Sequence, residues 1–319
     1  MDDKARLLDL NNQPPVIQLL TSVLIVILAG TLLFYLFVFA GSVIFSTHMS
    51  DMLIIPEADA GFREESIFKY LQVSQQIALF VVPAILIARL FRKDTESFLK
   101  TNKRPELIPL LMVILLALLI FPVTSYTGML NSKMSLPEWL SGVQEWMRTK
   151  EDSASDLTGL LLKSSGIGDL WLNIFILAVI PSIAEEMIFR GILQQLLCRV
   201  FRSGHIAIWM TAILFSTIHF QFFGFLPRLI LGLSFGYLFF WSRNLWLPVI
   251  AHFINNGVPV VISYFFSWNK LSVKASDFAE KQILLPLLSV LFSVGIFYYF
   301  WSEYRNNLFE NAQKFKIEI

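Results

Sequence analysis

The sequence predicts an all-α protein: a polytopic membrane helical bundle of about eight transmembrane helices. Three observations predict it. Hydrophobic residues make up 55% of the 319 and charged residues only 15%, where a soluble domain carries about 25% charged residues. Eight separate apolar stretches approach or exceed the roughly 20 residues that a spanning helix needs. Between the second and third of them stands a cluster of six basic residues, Arg89, Arg92, Lys93, Lys100, Lys103 and Arg104, the signature of a cytoplasmic connection.

Residues 1–15 are polar and mildly acidic. The apolar run 16–45 that follows exceeds the roughly 7 to 15 residues of a signal-peptide core, so it reads as a retained first span. Further spans are expected at 72–90, 107–126, 170–201, 205–220, 226–241, 245–268 and 283–301. The first and fourth are long enough to tilt, break or project. The fifth is short, and residues 222–225 can continue it. An even number of spans with 89–104 inside places both termini in the cytoplasm. The chain ends Lys316-Ile317-Glu318-Ile319 without a lipidation box, and 1–319 reads as a single integral membrane domain.

Other features bound the function. The net charge of +1 and the absence of a solvated basic domain give no reason to expect nucleic acid. Cys198 is the only cysteine, which excludes an internal disulfide and a multi-cysteine metal site. In the long connection 131–169, Trp139, Leu140, Val143, Trp146 and Met147 share one helical stripe. That pattern suits an interfacial amphipathic helix or, equally, a loop helix packed on the bundle. Gly232 and Gly236, four apart in the sixth span, permit close helix approach.

The fourth span holds the centre of the chain, Pro181-Ser182-Ile183-Ala184-Glu185-Glu186-Met187-Ile188-Phe189-Arg190. An ionisable group at mid-bilayer costs about 2.5 to 3.5 kcal/mol on insertion scales. Three together require partners, water or a purpose. Glu186 and Arg190 are four apart and share a face, so they can pair. Glu185 is rotated about 100° from Glu186 and is left to face a cavity, where a buried carboxyl suits general acid–base work. Taken alone, the Glu186–Arg190 pair also reads as a structural lock between helices.

Two of the four histidines, His219 and His252, fall deep in predicted spans, and His252 shares a face with Asn256. His48 and His205 stand at span ends, where a solvated imidazole needs no explanation. A rise of about 1.5 Å per residue puts Glu185, His219 and His252 about 22, 21 and 10 Å from the inner ends of their helices. The first two agree, and His252 requires tilt or a deeper start. Each histidine alone reads as an imidazole bonded to a backbone carbonyl or to Asn256. Three helices bringing costly polar groups together argue for one shared cavity, expected to open toward the cytoplasmic half.

Glu185-Glu186-x-x-x-Arg190, Phe215-x-x-x-His219 and His252-x-x-x-Asn256 resemble the three ordered motifs of the CPBP intramembrane proteases. That family contains the CAAX prenyl endopeptidases and the bacteriocin-processing or self-immunity (Abi) proteins. The likeness covers 170–267, the expected catalytic core, and Trp246-Leu247-Pro248-Val249-Ile250-Ala251-His252 is similar to the family's run into its last motif. The resemblance implies an intramembrane endopeptidase acting on a peptide or membrane-protein substrate in a lipid bilayer, as an integral multi-pass protein of a bacterial (inner) cell membrane. By that resemblance Glu185, with His219, activates a water; His252 and Asn256 polarise the scissile carbonyl; Glu186, Arg190 and Phe215 support the site. No metal is implied on this reading. A zinc-dependent version would use Glu185, His219 and His252, although the His-Glu-x-x-His signature is absent. A catalytically silent immunity or scaffold protein and a small-solute transporter are the competing classes, but no inverted repeat supports transport.

Overall fold

A computed structural model describes residues 10–56, 60–92, 94–163, 166–266 and 283–315. Lys93, most of the polar N-terminal stretch, the ends of the seventh span and of the 170–267 core, and the C-terminal tetrapeptide lie outside them. Nine helices organise the described chain: α1 (Pro15–Ile44), α2 (Phe62–Phe91), α3 (Leu107–Ser132), α4 (Ser141–Leu161), α5 (Ile167–Phe201), α6 (Gly204–Thr217), α7 (Phe225–Ser242), α8 (Trp246–Phe265) and α9 (Leu284–Phe315). No strand occurs among the described residues. The protein is an all-α, multi-pass membrane bundle.

Seven of the helices are long and apolar enough to cross a bilayer, against the eight expected. The exception is α6, with 14 residues. At about 1.5 Å per residue it measures roughly 21 Å, short of the ~30 Å hydrocarbon core. It ends early because Phe220 turns the chain in a left-handed conformation (φ 52°), and the Ser216 hydroxyl donates to the carbonyl of Phe225 at 2.7 Å, fastening the turn to the start of α7.

Membrane helices invert the soluble pattern, and α1 does so clearly. Leu20, Leu24, Leu28 and Leu32 are exposed, while Gln18, Ser22, Gly30 and Gly41 are buried. Small and polar residues face the bundle because lipid solvates leucine as well as protein does, so close backbone approach decides which face packs. Gly30 lies against Leu79 of α2, and Gly41 against Met52 and Tyr70.

The same logic makes α6 and α7 an antiparallel hairpin. Gly204 meets Phe240, Ile208 meets Gly236 and Ala212 meets Gly232. A Cβ on Gly232 would stand 3.0 Å from the Ala212 Cβ and 3.1 Å from its Cα. The expected close approach at both glycines is therefore present.

Helix α5 runs through the middle, packed on α1, α2, α6 and α8, while α3 and α9 flank α7 and α8. It contains two wide π turns, Phe175–Val179 and Phe189–Gln194, and α2 contains another at Ile77–Val81. Two of these three lead directly into a proline, Pro181 and Pro83, whose missing N–H breaks the regular ladder. Near the basic connection, Phe91, Phe98, Leu99, Met187, Ile192 and Leu196 fill the space between α2 and α5. That end of the bundle is closed by aliphatic and aromatic packing.

Helix α4 lies over the opposite end. Trp146 packs on Phe222 with ring centroids 5.3 Å apart, Arg148 sits over the Phe223 ring at 4.7 Å, and Glu151 accepts from the Phe223 N–H at 3.2 Å. Trp139 and Leu140, expected on the same stripe, belong instead to a 3-10 turn before α4, where Trp139 is 80% exposed.

Candidate active site

Glu186 and Arg190 are both fully buried, one turn apart on α5, with Arg190 Nη1 2.6 Å from Glu186 Oε1. The second guanidinium arm donates to the carbonyl of Gly232 of α7 at 3.1 Å. Phe215 and Phe235 cover the guanidinium at 5.0 and 5.5 Å. The charge is thus paired, hydrogen-bonded and stacked, which a cation at this depth requires.

His252 Nδ1 lies 2.9 Å from the same Glu186 oxygen. A carboxylate held by a guanidinium only accepts, so Nδ1 carries the proton and donates. Phe235 stacks on the ring at 5.3 Å and fixes its plane. The remaining nitrogen, Nε2, points toward Glu185, 3.9 Å from Oε2. That gap is too long for a direct hydrogen bond and suits a bridging water. The contact also resolves the apparent depth mismatch of His252 with the carboxylates.

Glu185 turns away from Arg190 and lines a cavity, as the helical rotation requires. Its Oε1 accepts from Gln76 Nε2 of α2 at 3.2 Å. Two adjacent carboxyls on one helix therefore have different surroundings: Glu186 is held by Arg190 and His252, and Glu185 meets one amide and open space.

His219 stands on the turn beyond α6 and not inside a span, because α6 ends at Thr217. Its Nδ1 lies 2.7 Å from the carbonyl of Phe215 and donates to it. That carbonyl belongs to the last turn, where no helical N–H follows to satisfy it. The side chain caps its own helix and leaves Nε2 for the cavity.

Asn256 Nδ2 donates to the carbonyl of Leu177 at 3.2 Å. Pro181 removes the regular donor to that acceptor: in a regular helix the N–H of residue 181 would fill it. Pro259 likewise deprives the carbonyl of Asn255 of its i+4 donor, and both Asn255 and Pro259 line the cavity.

The cavity, about 440 Å³, brings together Glu185, Phe215, His219, His252 and Asn256. Glu186 and Arg190 stand behind it. Its other walls carry residues the motifs did not name: Gln76, Arg228 and Gln221, with Arg228 Nη2 donating to Gln221 Oε1 at 2.6 Å. Glutamine in the second span and a lone arginine in the sixth are costly in lipid, and that cost was the available signal. A second chamber of about 360 Å³ shares Glu185, His219 and Gln76 and runs between α2 and α4.

The cavity opens away from the basic connection. On α8 its lining runs from His252 to Val260, on α5 from Glu185 back to Ile176, and on α7 from Phe235 back to Arg228, ending at Thr158 and Leu162 beneath α4. Each series leads away from the basic connection. The packed cluster around Met187 closes the other route.

Among the described residues no three His, Cys, Asp or Glu side chains are grouped to hold a metal ion.

Comparison with known proteins agrees with the motifs. A family model described as "Type II CAAX prenyl endopeptidase Rce1-like" matches residues 167–258, the span that carries all three. This segment is Rce1-like. An uncharacterized protein of Bacillus subtilis (strain 168), YpbD, is 33% identical over 90 residues, 27% of this chain and 43% of the relative. The chain thus spans less than half the length of that relative. No solved structure matches. The Rce1-like segment begins at α5 and ends within α8, so it comprises the helices that supply Glu185, His219, His252 and Asn256, while α2 with Gln76 lies outside it.

Proposed function

We propose that the protein is an intramembrane endopeptidase that hydrolyses a peptide bond in a membrane-associated or peptide substrate. The observation that carries this reading is the chain Arg190–Glu186–His252, which leaves His252 Nε2 beside the carboxyl of Glu185 at the wall of a cavity. The family likeness of 167–258 supports it independently.

In this mechanism a water held among Glu185, His219 Nε2 and His252 Nε2 loses a proton to Glu185 while its oxygen adds to the scissile carbonyl carbon. General base assistance of this kind is worth about 10²- to 10⁴-fold. The carbonyl oxygen becomes an oxyanion facing Asn256. Asn256 has one N–H beyond the one spent on Leu177. Donors of this type are worth about 3 to 4 kcal/mol of barrier. His252, its Nδ1–H given to Glu186, holds the attacking water through Nε2. Glu185 then passes its proton to the leaving amine, the C–N bond breaks, and a carboxylic acid and an amine depart. No cofactor enters the reaction. The enzyme works in a bacterial cell membrane with the basic connection cytoplasmic.

The test compares new protein N- and C-termini in membranes of cells expressing the wild type or Glu185→Gln at equal abundance. Termini present only with the wild type establish proteolysis and identify the substrate. Identical sets, with a range of peptide substrates also left intact by the purified protein, overturn the reading in favour of a silent immunity or scaffold protein.

A further inference from the structure

At the basic end of the bundle a second pocket, about 350 Å³, lies between the 92–106 connection, the end of α5 and the α7–α8 turn. Five cationic side chains line it: Arg92, Lys100, Lys103, Arg199 and Arg243. No carboxylate is among its lining residues, and none of the five forms an ion pair with a carboxylate among the described residues. Asp94, the nearest acid in sequence, is occupied in capping the N–H of Ser97 at 3.1 Å.

Partial compensation exists, and it is incomplete. Arg199 donates to Gln18 at 3.1 Å, and Arg243 lies over the Phe240 ring at 5.4 Å. The Nε of Arg243 is buried with no hydrogen-bond partner. Lys100 has its pKa lowered, first by burial and then by Arg243, Arg92, Arg199 and Lys103. Like charges converge here at a cost the protein itself does not neutralise.

Lys100 and Arg243 stand at helix ends in left-handed conformations, φ 64° and 50°, which brings their side chains to the same end of the bundle. The pocket volume lies within the range of small-molecule sites.

We propose that this pocket binds a phosphate oxyanion, supplied by the headgroup of an anionic phospholipid. Interhelical basic pockets at a cytoplasmic face suit such headgroups, and guanidinium forks match phosphate oxygens. The surroundings favour the lipid over the free ion: Arg199 is tied to α1, whose Val16 and Leu20 are exposed, and Phe201 beside it is 44% exposed. Acyl chains have an apolar wall to follow.

Native mass spectrometry of the full-length protein in detergent micelles tests this, with phosphatidylglycerol, phosphatidylcholine or inorganic phosphate added. The wild type retains one phosphatidylglycerol at a concentration about tenfold below that for phosphatidylcholine. Arg243→Gln loses that preference, whereas Arg104→Gln, on the same connection but outside the pocket, keeps it. Should Arg243→Gln not fold, the Lys100→Gln/Lys103→Gln double variant carries the test. Displacement of the lipid by inorganic phosphate, or a thermal shift with phosphate alone, assigns the same site to the free ion. Equal retention of both lipids with no effect of phosphate, or folded variants that bind as the wild type does, overturns the proposal.

Discussion

Asn256 of α8 donates to the carbonyl of Leu177 on α5, whose regular i+4 position is held by Pro181, a residue with no N–H. The proline thus removes one competitor for an acceptor that meets the amide of a residue 79 positions beyond it. Replacing Pro181 with alanine restores the helical donor and competes with Asn256. We expect Pro181→Ala to melt no lower than the wild type while cleavage falls by about tenfold, within the range an oxyanion donor is worth. Unchanged turnover with unchanged melting would remove the Leu177–Asn256 contact from the working site.

Glu185→Gln keeps an oxygen for Gln76 and loses only the base. Turnover should fall by about 10²- to 10⁴-fold, with wild-type yield and melting in detergent. Cleavage of the identified substrate at the wild-type rate by this variant is the result that rules Glu185 out as the base.

Arg190→Ala strands the carboxylate of Glu186, which has no exposure. Removing one partner of a buried pair costs about 3 to 5 kcal/mol, so folded yield and melting temperature should both drop. The double variant Glu186→Gln/Arg190→Ala should recover part of that loss, because the stranded charge is gone. Additive losses in a double-mutant cycle would argue that the pairing contributes nothing beyond its members.

Gly232 and Gly236 should differ in tolerance. A Cβ at Gly232 meets the Ala212 Cβ and backbone, whereas one at Gly236 meets side-chain atoms only, the Ile208 Cγ2 methyl at 2.9 Å and the Gln194 oxygen at 3.2 Å. Gly232→Ala is expected to cost about 1 to 3 kcal/mol as overpacking, with Gly236→Ala costing less. Thermal denaturation in one detergent ranks them, and the reverse order would contradict the observed register of α6 on α7.

A zinc chelator such as 1,10-phenanthroline should leave cleavage by the purified protein unchanged. Loss of activity restored by added zinc would overturn the cofactor-free mechanism and require Glu185, His219 and His252 to move together.

The membrane class and the positions of seven of the eight expected spans were legible in the sequence, because lipid demands about 20 apolar residues in a row from any helix that crosses it. The Glu186–Arg190 pair was legible for a similar reason: both partners lie on one helix, whose period places residues four apart on one face. The three motifs, matched as patterns, assembled the residues that face the cavity. Everything decided between helices was not legible. His252 meeting Glu186, Gln76 reaching Glu185, Asn256 reaching Leu177, the early end of α6 that puts His219 on a turn, and the opening of the cavity toward α4 all depend on how the helices cross and where they bend. Periodicity along a chain specifies which face of a helix is polar. Only packing, through the glycines that let α6 and α7 close and the prolines that free carbonyls in α5 and α8, determines what that face meets.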